Sequence, residues 1–164
     1  MNEATRLGLV SFHATSAADV IEKLRRELQR IEQASDLETA KDHVTNAFWS
    51  AWHVHKWMWD AIDEKPDLKQ TVLEYRGIAC CEIDDEVAFG AMLASRFMPL
   101  KICRLIATSS RYVDVTSGLS SNLSSSTPSS LNLVVLGRPI SATRLLTEID
   151  NYWVTMILDC GIEG

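Results

Sequence analysis

Residues 47–62 read AFWSAWHVHKWMWDAI, and this stretch decides the fold. At about 100° per residue, Val44, Ala47, Phe48, Ala51, Trp52, Val54, Met58, Trp59, Ala61 and Ile62 cover about half of a helix circumference. Trp49 and Trp57 fall outside that arc, one beyond each edge. Only a narrow polar strip remains, formed by Asp42, Asn46, His53, Lys56 and Asp60. A helix so apolar must be covered by more than one neighbour. Ser35 and Glu38 have capping-box spacing, so this second helix is expected to begin at Asp36 and to run to about Ile62.

Working outward, Ser16 and Asp19 make a capping start for a first helix, in which Ala17, Ile21, Leu24, Leu28 and Ile31 recur at steps of four and three. Its charged face, Glu22, Lys23, Arg25, Arg26, Glu27 and Arg30, is expected to be solvated. Residues 1–15 carry no period and are expected to form a loose arm. Lys65, Pro66 and Asp67 break the second helix, and a third spans about Asp67 to Arg76, stopped by Gly77. Asp84 to Phe97 is helical again, and Pro99 suits the first turn of a segment through Ile106 to about Ser110; one kinked helix or two would satisfy this pattern.

Beyond Tyr112, Val113 to Thr116 and Leu131 to Leu136 are short β-favouring runs separated by SGLSSNLSSSTPSS, residues 117–130. They predict a small antiparallel hairpin with a flexible serine-rich loop, ended by Gly137, Arg138 and Pro139. A last helix follows from about Ser141 to Cys160, and Gly161 with Ile162 fits a Schellman stop. The fold class is therefore mainly α, a bundle of five or six helices with a small hairpin before the last one, in a single domain over residues 1–164.

A chain of 164 residues is long enough to bury roughly 70% of its unfolded surface around one core. Hydrophobic residues at 46% exclude disorder over the whole chain, and 16 basic against 22 acidic residues argue against a broad footprint for nucleic acid. No apolar run is long enough to span a membrane and no secretory signal opens the chain, so a cytoplasmic location is expected. Cys80, Cys81, Cys103 and Cys160 match no zinc spacing, and are read as reduced thiols.

Two groups could carry chemistry. His55 falls inside the apolar arc, where an imidazole needs a hydrogen-bond partner and has a perturbed pKa. Trp49, Trp52, Trp57 and Trp59, four tryptophans within eleven residues, suit a stacking site for a small aromatic ligand, a core, or a dimer interface. His43, His53 and His55 do not share a helix face at ligand spacing, so no metal is expected, and no motif calls for a cofactor.

The stretch AFWSAWHVHKWMWDAI, with PLKICRLIATSSRYV at 99–113, a hairpin, and NYWVTMILDCGI at 151–162, resembles a family of small bacterial helical-bundle proteins that are HEPN-like in general pattern. The resemblance covers most of residues 36–162 and implies a helical core, frequent dimerisation and no agreed activity. Catalytic HEPN ribonucleases carry an arginine, four to six residues, then a histidine. Here the nearest positions are Arg104, Arg111 and Tyr112, without an imidazole, and tyrosine with a pKa near 10 is a poor base at neutral pH. The expected function is thus a non-catalytic helical interaction or dimerisation module, such as one in a bacterial stress or defence operon, acting as a homodimer or with a protein partner. The alternatives are a HEPN-type ribonuclease using Arg104, Arg111 and Tyr112, or a small-ligand binder using the tryptophan-rich helix and His55.

Overall fold

The structure is a computed structural model that describes residues 14–77, 83–108, 115–117, 131–135 and 138–162. Among these described residues there are six helices: α1 (Ala17–Gln33), α2 (Leu37–Asp63), α3 (Pro66–Tyr75), α4 (Glu86–Arg96), α5 (Met98–Thr108) and α6 (Ala142–Cys160). The described residues between α5 and α6 form three short strands, β1 (Val115–Ser117), β2 (Leu131–Val135) and β3 (Arg138–Ser141). The mainly helical bundle with a hairpin before the last helix is what the periodicity predicts. Among the described residues no helix is long and apolar enough to cross a membrane.

The 27 residues of α2 make a rod about 40 Å long, and α1, α3, α4, α5 and α6 all pack against it. That arrangement follows from its half-circumference of apolar side chains, since one neighbour could not cover them. Phe48, Ala51, Val54, Met58 and Ile62 are fully buried, while Asp42, Asn46, Lys56 and Asp60 of the polar strip are exposed. Two neighbours also hydrogen-bond to the carbonyls of α2: the Trp153 indole N–H of α6 donates to the Ala51 carbonyl at 2.9 Å, and the Cys103 thiol of α5 donates to that of Phe48 at 3.3 Å. Full burial pushes the Cys103 thiol pKa strongly upward, so it stays protonated and able to donate.

Helix starts follow local chemistry. Ser16, Asp36, Asp85 and Ser141 each accept a bond from the backbone N–H three residues on. At α2 the cap is Asp36 rather than Ser35, one residue later than the capping-box spacing suggests, because the Asp36 carboxylate bonds both the N–H and the hydroxyl of Thr39. Pro66 occupies the first turn of α3, and Gly77 (φ 66°) takes the left-handed conformation after it. Extended backbone at Phe97 (φ −129°, ψ 104°) separates α4 from α5, so residues 86–108 form two helices. Gly161 (φ 65°) ends α6, with the Ile162 N–H returning to the Ile157 carbonyl at 3.0 Å, the Schellman pattern.

Two expectations are corrected. The residues Arg138 and Pro139, taken as the end of a strand, belong to a third one: β2 pairs with β1 (Val115 opposite Leu133) and with β3 (Leu133 opposite Ile140) in the order β1-β2-β3. Pro139 is tolerated there because β3 is an edge strand. The charged face of α1 is not solvated throughout: Glu27 is buried, held by His43 Nδ1 of α2 at 2.7 Å and Arg30 at 2.6 Å. Arg25 reaches Asp150 of α6 at 3.1 Å. The bonds to His43 and Asp150 tie α1 to α2 and α6, and the Glu27 carboxylate so paired is kept from being an uncompensated buried charge.

Candidate functional site

The face where α2 meets α4 and α5 carries a cleft of about 340 Å³. Helix α2 presents Trp49, Trp52, His53, His55 and Lys56 to it; these positions recur at three and four residues on the edge of the apolar arc. Helix α4 adds Glu86 and Val87 from its first turn, and α5 adds Arg104, Ala107 and Thr108 from its last.

His55 is the buried centre of this site, with 2% of its surface exposed. Its Nδ1–H donates to the Trp52 carbonyl one turn back, which in the neutral ring leaves Nε2 as the bare nitrogen. That atom lies 3.3 Å from Oε1 of Glu86, which Lys56 Nζ also contacts at 3.3 Å. Burial lowers the His55 pKa from its ordinary value; the Trp52 carbonyl and the Glu86 carboxylate push the other way without overcoming burial. The imidazole ring leans on the Trp52 indole at 4.2 Å between centroids.

The ring fits because residue 90 of α4 is glycine. A Cβ at Gly90 would stand 2.6 Å from Cδ2 and 2.8 Å from Nε2 of His55, and 3.2 Å from Cη2 of Trp52. Glycine inside a helix costs about 1 kcal/mol relative to alanine, so its place here is explained by the close approach of the imidazole rather than by any preference of the helix.

The Arg104 guanidinium sits over Trp52 at 5.8 Å from the ring centroid, within cation–π range. It has no carboxylate partner among the described residues. At the rim Trp49 is 50% exposed, tilted against His53 at 3.9 Å between ring centroids and flanked by Lys23 at 5.4 Å. Val87 beside it is 68% exposed.

Of the residues singled out in the sequence, Trp49, Trp52, His55 and Arg104 therefore come together. Trp59 does not join them: it is buried against Phe89 at 5.5 Å, with Lys69 over its ring at 4.0 Å. Trp57 is half-buried and packs against the core away from the cleft. Arg111 and Tyr112 lie outside the described residues, as do Cys80 and Cys81. Sequence reasoning did not nominate Lys56, Glu86 or Gly90. The one signal for them was a glycine within the apolar run AFGAML, which marks close backbone approach. His43, His53 and His55 bond to Glu27, Trp49 and Trp52 respectively, and among the described residues no three potential metal ligands converge.

No family model matches the chain, and neither a curated protein nor a solved structure matches it.

Proposed function

We propose that this chain is a non-catalytic helical interaction module that assembles as a homodimer through the face formed by α2, α4 and α5. The observation that carries the proposal is the half-exposed Trp49 beside the exposed Val87, on the helix that otherwise anchors the core. Aromatic residues are enriched in interfaces, and a tryptophan buries about 150–250 Å² when fully covered. Covering the open half of Trp49 removes roughly 100 Å² from water, which at about 25 cal/mol per Å² contributes about 2.5 kcal/mol. Two copies across a two-fold axis would bring two such contributions.

Ribonuclease chemistry is less well supported. Arg104 could hold a phosphate, but among the described residues the imidazoles in the cleft are His53, bonded to the Trp49 carbonyl at 2.7 Å, and the buried His55.

Sedimentation equilibrium at micromolar concentration tests the proposal. Wild type is expected as a dimer and Trp49→Glu as a folded monomer. Wild type that stays monomeric overturns it, as does cleavage of mixed single-stranded and transfer RNA that disappears in Arg104→Ala.

A further inference from the structure

The inner part of the cleft has a chemistry that dimerisation does not require. Two cations approach from different helices, Lys56 of α2 and Arg104 of α5, with a single carboxylate, Glu86 of α4, between the walls. Among the described residues that line the cleft, these three groups together leave one net positive charge. Glu86 is already engaged by Lys56 at 3.3 Å. Among the described residues Arg104 is the cation of the cleft without a carboxylate, and its planar fork of donors matches a carboxylate in two parallel hydrogen bonds. The remaining walls are flat and apolar: the open indole of Trp49, the edge of Trp52, Val87 and Ala107. A volume of about 340 Å³ lies at the lower end of the roughly 300–1,000 Å³ of ligand pockets, which limits the occupant to a body of about one or two rings.

We infer that the α2–α4–α5 cleft binds a small aromatic monocarboxylate, its carboxylate on Arg104 and its ring against Trp49 and Trp52. The fixed Glu86 carboxylate disfavours a dianion, which selects a carboxylate over a phosphate ester. The Glu86, Lys56 and His55 cluster closes the inner end of the site, and Gly90 admits the imidazole that completes it. This inference rests on the cleft being the working surface of the protein and not on the protein being a dimer; a ligand ring and a second copy use the same open face of Trp49 and so compete for it.

Isothermal titration calorimetry of the full chain with benzoate, benzamide and inorganic phosphate tests it, with the Trp49 and Trp52 indole N–H resonances followed by NMR in parallel. Benzoate is expected to bind one per chain, at least about tenfold tighter than its neutral isostere benzamide, and to shift both indole signals. Arg104→Gln should weaken benzoate about tenfold or more, and Arg104→Lys, which keeps the charge without the fork, by less. Arg104 is partly exposed at the end of α5, and an unchanged thermal melt of each variant establishes that the fold is retained. The inference is overturned by no heat and no indole shift at roughly 10 mM benzoate, by equal binding of benzamide, by phosphate binding tighter than benzoate, or by wild-type affinity in Arg104→Gln. The oligomeric state of the same samples separates the two proposals: a dimer that ignores benzoate contradicts only this one, and a monomer that binds it contradicts only the other.

Discussion

Replacing Gly90 by alanine should destabilise the protein, against the usual effect of this substitution in a helix. An unconstrained interior glycine gains about 1 kcal/mol on becoming alanine. Here the new methyl would lie 2.6 and 2.8 Å from two ring atoms of His55 and 3.2 Å from Trp52, where ordinary contact needs about 3.5–4.0 Å. The imidazole must retreat by roughly 1 Å, yet its Nδ1 is tied to the Trp52 carbonyl and the ring is almost wholly enclosed. Overpacking of this kind costs about 1–3 kcal/mol, and the enclosed ring places the cost in the upper half of that range. Subtracting the helix gain leaves a net loss of about 1–2 kcal/mol, a melting temperature lower by roughly 3–6 °C. The assay is urea unfolding by circular dichroism for wild type, Gly90→Ala, His55→Ala and the double variant. In the His55→Ala background only the 3.2 Å approach to Trp52 remains, and Gly90→Ala should stabilise by roughly 0.5 kcal/mol, so the cycle should report a coupling of about 2 kcal/mol. Stabilisation of the wild type by Gly90→Ala, or the same change in both backgrounds, would refute the close-approach argument.

Stability should also depend on pH through His55. Because burial lowers its folded pKa beneath the unfolded value of about 6.5, the folded state binds fewer protons just under that pH. The contribution of the neutral ring is therefore complete above about pH 6.5 and is lost as pH falls toward the lower folded value. The facing groups are the Glu86 carboxylate, the Lys56 ammonium, His53 and the Trp52 carbonyl, and Glu86→Gln should extend the loss to lower pH by removing a charge that favours the protonated ring. Thermal melts between pH 7.5 and 5 should show a steeper fall for wild type than for His55→Gln, and parallel profiles would contradict the burial argument. Trp153→Phe should cost about 2 kcal/mol, from the lost N–H bond to the Ala51 carbonyl and the void beside a fully buried ring; a change under 0.5 kcal/mol in urea unfolding would show that this tie contributes little.

The parts of the fold that were legible in the sequence are those in which period and capping agree. The stripes of α1, α2 and α6, the stops at Gly77 and Gly161, and the place of Trp49 beyond the edge of the α2 arc all follow from local pattern. Strand β3 was hidden because Pro139 breaks the alternation, and only its pairing with Val134 at the sheet edge makes it a strand. Glu27 is three residues after Leu24 and four before Ile31, on the buried stripe, but its burial depends on His43 from another helix. The site divides in the same way. His55 and the tryptophans stand out along one helix, whereas the placing of Glu86 and Arg104 beside them depends on how α4 and α5 pack, which no local spacing encodes.

Native mass spectrometry of freshly purified protein tests the central claim most directly, because it reports subunit number and retained ligand in one spectrum. The proposed assembly through the α2–α4–α5 face predicts twice the mass of one chain, collapsing to a single chain in Trp49→Glu. A wild-type spectrum of one chain would contradict it.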